Sequence, residues 1–310
     1  MTASGSQLSF GQSRLGTSII MSMDITVALG GGGMRGIAHI GVLRVLEREG
    51  FHIRAVAGTS MGASVAALYA AGFAPDRIEE IMAGVDQSQL YGWPFSEGPG
   101  LLGTKGIASI LNTHLGSTDF SQLKLPAAAV AVDLKSNREI ILREGRVVDA
   151  LLASMAFPGL FPPREMGQYS LIDGGTLDPV PVRAARALAP GLPVVAVSLM
   201  TPLEQPATPL TVPPALHNTL VDQIARLNMP QAFRIFASAV DIGQRQMADL
   251  RLAADAPEVL VHPAVDEIAL LDEIDVAEVA QRGERAAEAL LPALRRAVSW
   301  PARIRRRLRA

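Results

Sequence analysis

Short apolar runs of strand length recur along the first two thirds of the chain, bounded by glycine, proline or polar clusters. Between them the apolar residues take a helical spacing. Thr26-Val27-Ala28-Leu29 and Arg54-Ala55-Val56-Ala57 are such runs, and the same signs predict strands near 24–30, 54–58, 126–134, 138–143, 169–172 and 193–199. From Ile37 to Glu49 the apolar positions fall at Ile40, Leu43, Val45 and Leu46, which predicts a helix, and Ala63 to Ala71 is small, apolar and helix-tolerant. Farther on, 214–248 and 277–298 read as two long helices. The alternation from Asp24 to about Met200 predicts an α/β fold in three layers, a mostly parallel central sheet with helices on both faces.

Two of these strand-to-helix junctions carry unusual turns. Gly58-Thr59-Ser60-Met61-Gly62 follows the second strand directly. A turn that sharp strains its central residue and crowds its neighbours, so Gly58 and Gly62 leave Ser60 room to stand out of the sheet as a nucleophile. Read alone, Ser60 is equally a helix N-cap. The first junction, Gly30-Gly31-Gly32-Gly33-Met34-Arg35-Gly36, leaves backbone N–H groups bare at a helix start. Such donors bind a phosphate, or the oxyanion that forms when a serine attacks an ester. The spacing Gly31-x-Gly33-x-x-Gly36 also fits a dinucleotide-binding loop, which needs an acid at the end of the second strand to hold a ribose hydroxyl. There the chain has Ala57-Gly58-Thr59-Ser60, so the position that weakens the nucleotide reading supplies a nucleophile for the other.

Bulk composition narrows the field. The chain has 310 residues, 49% of them hydrophobic, enough for one large core or a core with a cap. No apolar stretch approaches the roughly 18 residues of a membrane-spanning helix. Met1 to Ser22, rich in Ser, Gly and Thr, reads as a flexible N-terminal arm rather than a secretory signal. With no cysteine, thiol catalysis, disulfides and thiolate metal sites are excluded, and the acidic residues show no calcium-loop spacing; no metal or cofactor is expected. The formal charge of −2 hides an asymmetry: Arg295 to Ala310 hold seven arginines and no acid, against 21 basic and 30 acidic residues before them. Charge so localised argues against a nucleic-acid-binding body.

A serine nucleophile needs a proton acceptor. Of the five histidines, His39 lies inside the first helix, His52 between helix and strand, and His114 in no motif. His217 and His262 stand as candidates for a Ser…Asp…His order, though neither sits in a glycine-rich or strand-end turn. Asp173 is better placed. Tyr169-Ser170-Leu171-Ile172 reads as a strand that delivers it, followed by Gly174 and Gly175, to the sheet edge where open α/β folds keep their sites. Taken alone, Asp-Gly is also a favoured turn pair.

The three blocks in this order, Gly31-Gly32-Gly33-Met34-Arg35-Gly36, Gly58-Thr59-Ser60-Met61-Gly62 and Asp173-Gly174-Gly175, resemble the pattern of patatin-like phospholipases. Ala153-Ser154-Met155-Ala156-Phe157-Pro158-Gly159-Leu160-Phe161-Pro162-Pro163 is similar to that family's apolar, proline-rich block ahead of the acid. The likeness covers about residues 24 to 200, and more loosely the end of the chain resembles the bacterial branch related to neuropathy target esterase. It implies a patatin-like acyl hydrolase working through an acyl-enzyme, with Ser60 as nucleophile, Asp173 as its base in a two-residue dyad, and the Gly31–Gly33 amides with Arg35 as the oxyanion pocket. The implied substrates are phospholipids, lysophospholipids or fatty esters. A phosphate- or nucleotide-binding module, or a weakly active regulatory relative, are the alternatives. Because a cation at a helix start opposes the dipole, Arg35 is expected to face solvent or to be held by a carboxylate or backbone carbonyls.

Two further segments carry expectations. Gln89 to Gly103, rich in Gly, Pro and bulky apolar residues, reads equally as a flap over the site and as a loop packed on its own core. The domain is expected over 23–294 and a basic amphipathic tail over 295–310, where Trp300, Ile304 and Leu308 recur every four residues among arginines. The protein is expected in the cytoplasm, and such a tail suits an anionic membrane surface, which would let it sit peripherally on the inner face of the membrane. A solvated charge run or an intramolecular clamp is the plainer alternative.

Overall fold

The computed structural model describes residues 22–87, 90, 100, 102–201, 203 and 229–307. Among these, eight strands form one mixed, mostly parallel sheet: β1 (Asp24–Leu29), β2 (His52–Thr59), β3 (Ala127–Asp133), β4 (Arg138–Leu142), β5 (Arg164–Met166), β6 (Tyr169–Asp173), β7 (Val194–Val197) and β8 (Val259–Val261). The order is β5-β6-β3-β2-β1-β7-β8, with β4 also on β3. Strands β3, β2, β1, β7 and β8 are mutually parallel; β4 and β6 run against β3, and β5 against β6.

Alternation along the strands sorts the helices into two layers. Val27, Leu29, Val56, Ala129, Val195 and Val197 face a large core built with α1 (Ala38–Arg48), α2 (Met61–Ala71), α3 (Pro75–Ala83), α4 (Lys105–Leu115), α5 (Val147–Ser154) and the later α8 (Val276–Ala289). The other face is narrower. There Ala28 pairs with Ala57 and Ala196, and Ala57 with Ala128, so a row of alanines crosses four strands. Small side chains let α6 (Val182–Leu188) lie close to the sheet, with Leu252 of α7 (Met229–Asp255) beside it.

The register of β3 positions the site. Ala129 and Val130 pair with both β2 and β4, so those two strands lie on opposite edges; Ala131 to Asp133 pair with both β4 and β6, so β6 takes over the edge that β2 leaves. Parallel β2 ends at Thr59 opposite Val130, and antiparallel β6 ends at Asp173 opposite Ala131. Two strands arriving from opposite directions thus deliver Ser60 and Asp173 to adjacent positions. Asp133 clips the join: its Oδ1 accepts the Ser170 N–H (2.9 Å) and its Oδ2 the Ser136 N–H (2.9 Å).

All six expected strands are present, while β5 and β8, three residues each, escaped the pattern. The expected helix over 277–298 is two helices, α8 and α9 (Leu291–Ala297), because Pro292 lacks the N–H that would continue the first. The helix expected over 214–248 runs on to Asp255, its described part beginning at Met229. Residues 1–21, His217, most of the expected flap and Leu308 to Ala310 lie outside the described residues.

Candidate active site

Ser60 sits between the last residue of β2 and the first of α2 with φ 55° and ψ −126°, a backbone conformation that side-chain-bearing residues rarely adopt. The surroundings hold it there. The Ser60 N–H donates to Ser154 Oγ (2.9 Å), whose own hydroxyl donates to the Val130 carbonyl (2.6 Å). Thr59 Oγ1 donates to the Asp178 carbonyl (2.9 Å). The flanking glycines serve close packing: a Cβ on Gly58 would overlap the backbone of Gly62 and Ala63, and one on Gly62 the carbonyls of Leu29 and Gly30. A Cβ on Gly36 would strike the Met61 side chain.

Asp173, buried at the end of β6, accepts a hydrogen bond from the Ser60 hydroxyl and another from the Gly175 N–H (2.7 Å). Burial raises its pKa to about 6, with the Gly175 amide and Ser60 hydroxyl pulling the other way. The carboxylate is therefore a better proton acceptor than an exposed aspartate. A Cβ on Gly175 would lie 3.1 Å from Asp173 Oδ1, so glycine here lets the amide close on the carboxylate.

The glycine loop uses part of its amide set within the fold. Gly30 and Gly31 donate their N–H groups to the carbonyls of Val197 and Pro179 (both 2.9 Å), and Met34 donates to Leu270 (3.1 Å). The Gly31 amide is thus spent on holding the loop. Among the described residues no carbonyl takes the N–H of Gly32 or Gly33, which begin a 3-10 turn, and Gly33 has φ 57°. Arg35 contributes no free guanidinium. Its Nε donates to the Ile268 carbonyl (2.5 Å) and its Nη1 to the Leu199 carbonyl and Thr201 Oγ1 (both 3.3 Å), so backbone carbonyls hold the cation at this helix start. His39 Nε2 bonds the Gly30 carbonyl (2.7 Å), and burial lowers its pKa to about 4, so the ring is neutral at pH 7 and acts as a donor there.

Ser60 and Asp173 open into a cleft whose walls include Gly32, Arg35, Phe157 and, from α7, Asp241 and Gln244. No histidine lines it among the described residues. His262 lies in a different surface cleft, 3.7 Å from Asp266 and alongside Glu267 and Arg282. No group of three or more acidic or histidine side chains is placed to hold a metal ion among the described residues. Three contributors went unassigned in the sequence. Ser154 stood inside the proline-rich block with no role, His39 inside the first helix with none, and α7 gave no sign that it would wall the cleft.

The family model described as patatin-like phospholipase matches residues 27–186. An uncharacterized NTE family protein of Mycobacterium tuberculosis is 35% identical over 180 residues, 56% of this chain and 49% of that protein. A second NTE family protein of the same organism, also uncharacterized, is 30% identical over 289 residues, 88% of this chain and 47% of its own. Lysophospholipase NTE1 of Cryptococcus neoformans is 33% identical over 183 residues, 54% of this chain and 11% of that protein. The chain spans about half the length of the mycobacterial relatives it matches.

Proposed function

The chain belongs to the patatin-like phospholipase family, and from that premise we propose that it is a serine acyl hydrolase cleaving fatty acyl esters of phospholipids or lysophospholipids through a Ser60–Asp173 dyad. The observation that carries this is a serine on a strained backbone whose hydroxyl is hydrogen-bonded to a buried aspartate of raised pKa. A lysophospholipase among the relatives supports the substrate class.

In this reading Ser60 Oγ attacks the ester carbonyl carbon while its proton passes to Asp173. Negative charge gathers on the carbonyl oxygen, which the Gly32 and Gly33 amides receive. As the tetrahedral intermediate collapses, the carbon–oxygen bond to the alcohol breaks and Asp173 returns the proton to that oxygen. Water then attacks the acyl-serine, giving its proton to Asp173, and Ser60 leaves with the proton restored. The phosphate-cradle alternative has less behind it, since two amides of the loop are tied to Val197 and Pro179.

The test is labelling with a fluorophosphonate followed by peptide mapping. Adduct on Ser60, lost in Ser60→Ala, and ester hydrolysis lowered by on the order of 10³ or more in Asp173→Asn are expected. Full activity in either variant refutes the dyad.

No described helix is long and apolar enough to cross a membrane. Contact with an anionic lipid surface through the C-terminal tail is part of the proposal. Trp300 (63% exposed) and Ile304 (36%) stand one turn apart on α10 (Trp300–Arg307), which is held to α9 by Arg306 Nη1 on the Ala297 carbonyl (2.8 Å).

A further inference from the structure

Asp173 has two protons to take in turn, one from Ser60 and one from the water that frees the enzyme of its acyl group. Ser60 is fixed by the elbow that carries it, whereas a water molecule arrives free. While one hydrogen of that water passes to the carboxylate, its oxygen must point a lone pair at the acyl carbon, and holding it so removes much of the barrier.

An amide from α7 stands at the place where such a water would lie. Ala237, Asp241, Gln244 and Ala248 recur at helical spacing, and the two buried alanines let this face of α7 pack on the turn Gly174–Thr176 that follows Asp173. Gln244 is 8% exposed, yet its side chain spends no hydrogen bond on the fold among the described residues. A buried amide is costly unless a water or a ligand satisfies it. Other polar groups of the cleft wall are committed elsewhere: Arg35 Nε donates to the Ile268 carbonyl, and Asp241 Oδ2 lies 2.8 Å from Arg245 Nε. Gln244 Nε2 and Asp173 Oδ1 both lie 3.1 Å from the point that a Cβ on Gly175 would occupy. Glycine at 175 therefore leaves a space bordered by both the base and an unspent amide.

We propose that Gln244 is a catalytic residue that holds the attacking water of deacylation beside Asp173. The assignment rests on Ser60 as the acyl-accepting residue. A side-chain amide offers a donor and an acceptor, so Gln244 binds the water and leaves one hydrogen for the carboxylate. The water oxygen bonds to the acyl carbon as that proton goes to Asp173. When the bond from the carbon to Ser60 Oγ breaks, the proton moves to Oγ and the fatty acid departs. Acylation uses no water, so loss of the amide strikes the second half of the reaction and spares the first.

The test compares the whole protein with Gln244→Met, which keeps the volume of the side chain, and Gln244→Ala, which does not. With p-nitrophenyl butyrate, release of the first equivalent of p-nitrophenol reads acylation, and decay of butyryl-Ser60, followed by rapid quench and intact-mass spectrometry, reads deacylation. Acylation and the rate of fluorophosphonate labelling are expected to stay within about threefold of the unaltered protein, while deacylation slows about a hundredfold. Unchanged deacylation, or acylation and labelling that fall in step with it, overturns the assignment in whichever variant keeps its thermal transition. Failure of the unaltered protein to label at Ser60 removes the hydrolase reading and this assignment with it, an outcome visible before any change is made at Gln244.

Discussion

Asp173 is a base only while ionised, so its raised pKa sets the pH at which Ser60 can give up a proton. The expected kcat/KM for a short ester rises about tenfold per pH unit below about 6 and levels off above it. A profile flat from pH 5 to 8 would remove Asp173 from the proton path. Asp178 is a different case. It is fully buried, neither carboxyl oxygen has a hydrogen-bond partner, and burial, then the Glu139 charge, push its pKa up to about 8 against the pull of Arg251. Its unfolded value is about 3.9. Between these values the folded state binds more protons than the unfolded chain, so stability from this residue is full below about pH 4 and falls as pH rises toward 8. Asp178→Asn should flatten that fall and raise stability at pH 7 by on the order of a few kcal/mol, with little change at pH 4. Urea midpoints at pH 4, 7 and 8 check the sign. Ser60 and Asp173 were legible because strand ends and glycine spacing are local signals. Ser154 and His39 were not, because a hydroxyl on Val130 and a ring on Gly30 acquire meaning only from residues distant in sequence.

Strands and helices were readable where they were long enough to show a period. β1, β2, β3 and β7 announced themselves as apolar runs buried on both faces, as parallel strands do. β5 and β8 did not, since three residues hold no period and exist as strands only through pairing with β6 and β7. The junction of β2 with α2 is tightly packed. Gly62→Ala would press a methyl into the Leu29 and Gly30 carbonyls and push α2 off β1, at a cost of about 1–3 kcal/mol. Gly243, inside α7, has nothing within 4 Å of a built Cβ, so Gly243→Ala should stabilise by about 0.5–1 kcal/mol. Thermal unfolding of the two variants should move in opposite directions. A tolerated Gly62→Ala would mean that the elbow is looser than its contacts imply.

The acidic body and basic end meet in specific ion pairs as well as in overall charge. Arg295 Nη2 lies 2.8 Å from Glu49, tying α9 to the end of α1. Val298 is packed in the large core, so a cut that tests the tail should fall after Ser299. That truncation removes five arginines, each contributing roughly 1 kcal/mol near an anionic surface, and should lower binding to phosphatidylserine vesicles more than tenfold while sparing a soluble butyrate ester. Equal vesicle binding with and without the segment would leave α10 as an intramolecular clamp. The shared edge of β3 has a consequence for how the protein comes into being. β2 is made early, but β6 follows α4, β3, β4, α5 and β5, and until it docks on β3 there is no carboxylate beside the serine. On the proposed reading, a half-made or misfolded chain is inert toward the lipids around it, and hydrolytic competence arrives as the last strands close.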